Sequence, residues 1–329
     1  MPDRATLNSV ARQAGVSRQT VSNALNSPEL VSADTLERVL RAVAEQGYRA
    51  NRAARQMRTR RSQVIGVRVE PERDGVTGFV LNRFLHALTE AAERDDHHTM
   101  LFTARDDEDE TRVYADLIAS VGVDALVVTG THHGDPRTGW LTEHGLPFVT
   151  FGRPWGAPHG HPWVDVDGAA GTAAATAHLL RRGHRRIAFV GWPAGSGAGD
   201  DRRAGWRRTL QAAGLAAELE VAEPDGMDPG RHAAAQLMSG DSPPTAFVCA
   251  SDSLALGVVS EMRARGLPWD AVVGFDDTPV AAFLGLSSVH QPIADVATAC
   301  MRQLQVVLAG GSPEPVLLAP ELVVRLPQG

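Results

Sequence analysis

Arg18, Gln19 and Asn23 carry side chains able to make paired hydrogen bonds to base edges in a DNA major groove. They fall within one stretch, ATLNSVARQAGVSRQTVSNALN, residues 5–26. Presenting them together needs a helix with a wet outer face. Apolar residues recur at helical spacing at Leu7, Val10, Ala11 and Ala14, and again at Val21, Ala24 and Leu25, so the stretch reads as two short helices joined by Gly15-Val16-Ser17. Gly15 can take a positive φ at the corner, Val16 can plug the gap, and Ser17 can cap the second helix. That is the layout of a helix-turn-helix. Two helices around a glycine also form plain solvated corners in many folds, and this stretch alone leaves both readings open.

The residues that follow narrow the choice. In PELVSADTLERVLRAVAEQGY the residues Leu36, Val39, Leu40 and Val43 recur at helical spacing, with Ser32 as N-cap and Gly47 as stop. A third helix there closes a minidomain near the lower size limit of roughly 40 residues for a stable core. Next comes RANRAARQMRTRRSQ, residues 49–63, with six arginines and no acid. It reads either as a basic linker or as a short helix that forms only against a supporting surface. Ala54 and Met57 share one face of such a helix, and a DNA minor groove could be that surface, with Met57 as an apolar wedge.

Charge is distributed to match. All 32 basic residues are arginine; residues 1–61 hold 11 of them against five acidic residues, a net +6, within a chain of net charge −7. A basic head on an acidic body suggests a nucleic-acid-binding module joined to a separate domain. No apolar run approaches the roughly 18 residues of a membrane helix, and MPDRATLNSV lacks the layout of a signal peptide, so a cytoplasmic location is expected. Cys249 and Cys300 are expected to be buried reduced thiols.

From Gln63 onward the pattern changes. VIGVRV, TMLFTA, DALVVTG and PFVTFG read as buried strands alternating with helical stretches, and the alternation resumes after residue 165 through RRIAFVG, TAFVCA and AVVGFDD. Two consecutive βα arrays imply two parallel-sheet lobes with helices on both faces, and a ligand cleft beyond the carboxyl ends of the strands. The 329 residues, 43% hydrophobic, suffice for such cores. Catalytic and metal chemistry finds no support. GWPAGSGAGDD does not match G-x-G-x-x-G and reads instead as a mobile loop leading to Arg202; the His97-His98, His132-His133 and His159/His161 groups lack an evident third ligand; no G-x-S-x-G elbow occurs. Neither a metal nor a cofactor is expected.

Taken together, TLNSVARQAGVSRQTVSNALN, VSADTLERVLRAVAEQGYRANRAARQM, HLLRRGHRRIAFVG, DRRAGW, ASDSLALG, VVGFDD, HQP and LAPELVVR resemble the lactose-repressor (LacI/GalR) family over nearly the whole chain. The resemblance implies an all-α helix-turn-helix head plus an α/β core of two parallel-sheet, periplasmic-binding-protein-like lobes. The expected divisions are a head at 1–48, a hinge helix at 49–62 and a core at 63–329, with an N-lobe of about 63–164 and 292–320 and a C-lobe of about 165–291 and 321–329. It further implies that Arg18, Gln19 and Asn23 read bases, that Ser17, Thr20 and Ser22 fix phosphates, that Asn51 contacts the DNA backbone, and that Ala54 and Met57 enter the minor groove. Met57 stands where the family usually has Leu.

For the cleft, the resemblance implies Arg202 and Asp276 as grips for adjacent hydroxyls of a sugar. Ser251 occupies a position where the family often has Asn, and Asp167 corresponds to a crossover aspartate followed by Gly168 in place of the commoner Asn. Read without the family, Arg202 is a surface arginine and Asp276 a helix cap. Arg153, Trp155 and Trp163, in FGRPWGAPHGHPWVDVDG, lie at a strand end beside the crossover; with Phe79 they are further pocket candidates, because indole faces suit the C–H faces of sugars. Either Trp could instead fill the lobe junction.

The expected function is that of a homodimeric DNA-binding regulator, a repressor of sugar-utilisation genes that leaves a near-palindromic operator when a mono- or disaccharide binds. Corepression by a purine- or nucleoside-like effector is the alternative. A sugar-binding protein without gene regulation would leave the basic head unexplained, and an enzyme would need a catalytic cluster that the sequence does not display.

Overall fold

The computed structural model describes residues 5–48, 61–69, 78–156 and 160–325. The chain separates into two compact units, Met1–Ser62 and Gln63–Gly329.

The first unit holds three α-helices among its described residues: α1 (Leu7–Ala14), α2 (Arg18–Asn26) and α3 (Ala33–Gln46). Local chemistry sets the starts of all three and the ends of α1 and α3. Thr6 and Ser9 form a reciprocal capping box at the start of α1, and Gly15 ends it in the left-handed conformation with φ 66°. Ser17 Oγ accepts from the Thr20 N–H at 3.0 Å to start α2, Ser32 caps α3, and Gly47 ends α3 at φ 59°. Val10, Val21 and Val39 are fully buried where the three helices meet, joined by Ala11, Ala14, Ala24 and Ala42. Leu40, assigned to the apolar face by its spacing, is 48% exposed. One residue past Val39 it lies about 100° round the helix, and Ala42 fills the core in its place.

Among its described residues the second unit contains two six-stranded sheets. One is built from β1 (Val64–Arg68), β2 (His98–Phe102), β3 (Ala125–Val128), β4 (Phe148–Phe151), β5 (Trp163–Val166) and a late strand, Val316–Leu318. The other comprises β6 (Ile187–Gly191), β7 (Glu220–Ala222), β8 (Ala246–Cys249), β9 (Val272–Phe275), β10 (Ser287–His290) and Glu321–Val323. The late strands are β11 and β12; the sheet orders are β11-β5-β4-β3-β1-β2 and β12-β10-β9-β8-β6-β7. All recorded pairings are parallel except β12 against β10. β3, β8 and β9 are buried along their whole length, as expected for strands covered on both faces by helices.

The chain passes between sheets three times: from β5 to the second lobe, from β10 back to the first, and from β11 to β12. The returning segment includes the helix Ile293–Leu308, whose Ile293, Val296, Cys300 and Leu304 pack into the core that also holds Phe84 and Leu88 of the helix Phe79–Arg94. Cys249 and Cys300 are both buried and unpaired, and burial pushes both thiols up from their ordinary range.

Two helices of the second lobe govern the cleft. Asp167 caps Gly168–Arg181, which lies against Ala198–Ala212. Their closeness depends on Gly205, since a Cβ there would lie 2.1 Å from the Ala169 carbonyl oxygen. Trp206, fully buried, donates its Nε1–H to the Ile187 carbonyl at 3.2 Å and stacks on Phe189. Asp201 and Arg202, one turn before this anchor, are thereby held against the start of the first of these helices. Thr172 Oγ1 donates to the Arg202 carbonyl at 2.6 Å.

Among the described residues no helix is long and apolar enough to cross a membrane.

Candidate functional site

The head presents one continuous polar surface on α2. Its first turn leaves Arg18 and Gln19 exposed, while Asn23, one turn later, is half-buried. Gln19 Nε2 donates to Asn23 Oδ1 at 2.8 Å, so the two amides already lie side by side on one face. Ser17 and Thr20 hydroxyls are 2.8 Å apart at the helix start, where unsatisfied backbone N–H groups favour an anionic oxygen. Ser22 is half-buried. Asn51, Ala54 and Met57 lie outside the described residues.

Between the lobes of the second unit lies a cleft of about 580 Å³. It opens at the carboxyl ends of the strands, where a crevice between parallel sheets must fall. Phe79, Arg153, Trp155 and Asp165 line it from the first lobe, and Trp192, Asp201, Arg202 and Asp276 from the second. Gln291, just past β10, completes it.

Arg202 dominates the second-lobe wall. Only 7% exposed, it donates from Nη1 to the Ala250 carbonyl, and its guanidinium carbon lies 3.7 Å from the Phe275 ring centre and 5.0 Å from that of Trp192. Nη1 is 3.8 Å from Asp276 Oδ1, too far for a hydrogen bond, while its buried Nε has no partner. Gly168 lies directly against this side chain. A Cβ there would lie 3.6 Å from that Nε and 3.0 Å from Arg202 Cγ.

Asp276 reaches the cleft through an unusual turn. At the end of β9, Asp276 and Asp277 both have positive φ, 116° and 52°, a conformation costly for non-glycine residues. Long-range contacts hold it. The Asp276 N–H donates to Val289 O at 2.8 Å, the Asp277 N–H to Ser288 Oγ at 3.0 Å, and buried Asp252 accepts from Thr278 N–H, Thr278 Oγ1 and Ser288 Oγ. Asp276 Oδ1 accepts from Gln291 Nε2 at 2.8 Å. Burial pushes the Asp276 carboxyl well above the usual range; Arg202 pulls against that shift, and the Asp252 and Asp225 carboxylates add to it.

On the first-lobe wall, Arg153 Nε donates to Asp165 Oδ2 at 2.8 Å and its Nη2 to Asp201 Oδ2 at 2.6 Å. The same guanidinium lies 4.5 Å from the Trp155 ring centre. Trp155 Nε1 donates to Thr131 Oγ1 at 3.2 Å, and the indole lines the cleft. Burial raises Asp165, opposed by its bond to Arg153.

The structure thus brings Arg202, Asp276, Arg153, Trp155 and Phe79 to one cleft. Trp163, Ser251 and Asp167 do not line it. Trp163 starts β5, at the amino end of a strand whose carboxyl end meets the cleft; Asp165, two residues on, takes the place. Ser251 Oγ caps the helix Asp252–Ala264 and donates to Asp225, while Asp167 Oδ1 accepts from the Ala170 N–H at 2.9 Å. Asp276 is no helix cap, since Thr278 performs that role. Asp165, Trp192, Asp201, Asp225 and Gln291 were absent from the sequence reading. Trp192 ends RRIAFVGW and Gln291 stands in HQP, so a rule that searches the first residue past each strand would have found both.

Residues 6–51 match the family model for bacterial regulatory proteins of the lacI family, and residues 176–326 match that for the periplasmic binding protein-like domain. The transcriptional regulator CelR of Thermobifida fusca is 35% identical over 334 aligned positions covering 98% of each chain. The chain belongs to the LacI family. AglR of Rhizobium meliloti, an HTH-type transcriptional regulator, is 32% identical, covering 98% of this chain and 94% of its own. Among solved structures, a CelR–cellobiose complex superposes with TM-score 0.74 at 31% identity, covering 99% of this chain and all of its own. The lac repressor dimer bound to operator and the anti-inducer ONPF superposes with TM-score 0.82 at 25% identity, covering 99% of both chains. This LacI-family chain is a DNA-binding transcriptional regulator, with the helix-turn-helix head and two-lobed α/β core of that family.

Proposed function

We propose that this LacI-family regulator is a homodimeric repressor of sugar-utilisation genes, released from a near-palindromic operator by a mono- or disaccharide held in the interlobe cleft. The observation that carries the effector class is the state of Arg202. A buried guanidinium with an unpartnered Nε, 3.8 Å from a carboxylate on the wall of the cleft, matches neighbouring hydroxyls that accept from one group and donate to the other. The Trp155, Trp192 and Phe79 rings supply the apolar faces that pyranose C–H groups pack against. A volume of about 580 Å³ lies within the range of small-molecule sites, and CelR, a relative over nearly the whole chain, has been seen with cellobiose.

On the DNA side, Arg18, Gln19 and Asn23 read base edges, and Ser17, Thr20 and Ser22 hold phosphates. Asn51 contacts the DNA backbone, and Ala54 and Met57 enter the central minor groove. A homodimer places two heads on the half-sites. Effector binding shifts the balance of lobe arrangements by its differential affinity, and the heads lose their operator spacing.

Calorimetric titration of the full chain with cellobiose, a panel of other mono- and disaccharides and a purine panel, paired with operator release followed by fluorescence anisotropy, tests the reading. A saccharide that binds and also releases operator supports it. Operator binding strengthened by a purine, with no response to any saccharide, would overturn it.

A further inference from the structure

Asp201 lines the cleft, yet its carboxylate is already engaged across it. Oδ2 accepts from Arg153 Nη2 of the opposite lobe at 2.6 Å and from the Ala169 N–H of its own lobe at 2.9 Å. Arg153, in turn, is fixed from behind by Asp165 at 2.8 Å. One guanidinium therefore joins a carboxylate on each lobe, and all three side chains are at most 23% exposed, which shields the pair from solvent screening.

Further contacts cross beside it. The His133 N–H of the first lobe donates to the Gly195 carbonyl of the second at 3.2 Å. His133 Nε2 approaches Asp200 Oδ2 to 3.7 Å. Trp155 packs against Gly197, where a Cβ would come within 2.6 Å of three indole atoms. The loop expected to be mobile before Arg202 is thus pinned on the facing lobe. Its own turn is closed by Gly195 N–H donating to Asp200 and Gly199 N–H donating to Ser196 Oγ, both at 2.8 Å.

We propose that Asp201 is a positioning residue which, through Arg153, clasps the two lobes together and so sets the separation between Trp155 on one wall and Arg202 on the other. Asp201 and Arg202 are neighbours on one helix turn, so whatever fixes Asp201 against the first lobe fixes Arg202 too. Three chain crossings join the lobes but leave rotation about them possible; a side-chain bridge removes that freedom. The clasp needs no particular effector, because its contacts lie wholly within the chain.

Hydrogen–deuterium exchange on the effector-free full-length chain reads the clasp directly, since the His133 amide is protected by a bond that exists only when the lobes meet. Asp201→Ala should speed exchange in peptides containing His133 by about tenfold or more, with β8 and the helix Asp252–Ala264 unchanged. Arg153→Ala should do the same, and the double variant should be no faster than either single one, because both remove one contact. Should Asp201→Ala fold poorly, Gly197→Ala pushes a methyl into Trp155 on the same rim without altering any charge, and the same local acceleration is expected. Unchanged exchange at His133 in the folded variants, or acceleration that simply adds in the double variant, overturns the proposal.

Discussion

The Arg202 guanidinium carbon lies 3.7 Å from the centre of the Phe275 ring, sandwiching the charge between an aromatic floor and the cleft. Its orientation is set within the chain, by that ring, by Trp192 and by the Ala250 carbonyl. A pre-oriented, desolvated donor makes stronger charge-assisted bonds than a surface arginine. Arg202→Ala should weaken effector binding by about 100-fold, on the order of 2–3 kcal/mol. Operator affinity without effector should stay at the wild-type value. Calorimetry and anisotropy on one preparation check both, and retained effector response would move the binding site elsewhere.

Gly205 sits where two helices of the second lobe touch, with the Ala169 carbonyl oxygen 2.1 Å from the position of its absent Cβ. Backbone on both sides cannot yield as a flexible side chain would. Gly205→Ala should destabilise the core by about 3 kcal/mol through overpacking, read as a lowered midpoint in urea. A wild-type midpoint would show that the helices can separate freely.

Asp252 offers a pH test. Burial pushes its carboxyl up to about 6, while the bonds from Ser288 and Thr278 hold it down. Because the folded value exceeds the unfolded value of about 3.9, the folded state binds this proton more tightly. The group's contribution to stability is complete below about pH 4 and is lost as pH rises through about 6, by roughly 2–3 kcal/mol. Denaturant titrations of wild type and Asp252→Asn between pH 4 and 7 should differ by an amount that changes across this window and is flat above it. A pH-independent difference would remove Asp252 from the account.

The bond between Gln19 and Asn23 has a consequence for operator reading. On the proposed reading, base contacts must break or share it, so the pair acts as a unit. Gln19→Ala should reduce discrimination between operator and single-base variants by about 1–3 kcal/mol while non-specific affinity persists. Uniform weakening on every sequence would instead assign Gln19 to the phosphates.

Much of this architecture is legible in the amino-acid order because its causes are local. Thr6, Gly15, Ser17, Ser32 and Gly47 set helix ends through bonds spanning a few residues, and the apolar runs of β3, β8 and β9 announce strands covered on both faces. Arg202 and Asp276 were reached through motif resemblance, not through any local rule. What needed the tertiary structure was convergence. Strand alternation assigns Trp163 and Asp165 to one face of β5 but does not say which end of the strand meets the second lobe, and only Asp165 lies at that end. Arg153 and Asp201 are 48 residues apart, and no periodicity links them. Their meeting follows from the close helix crossing at Gly205 and the return of the chain between lobes. Sequence alone determined the kinds of element and the polar outer face of α2, since those rest on neighbours along the chain. Which carboxylate holds which arginine was decided by the fold, because charge pairing acts through space between segments that only tertiary packing brings together.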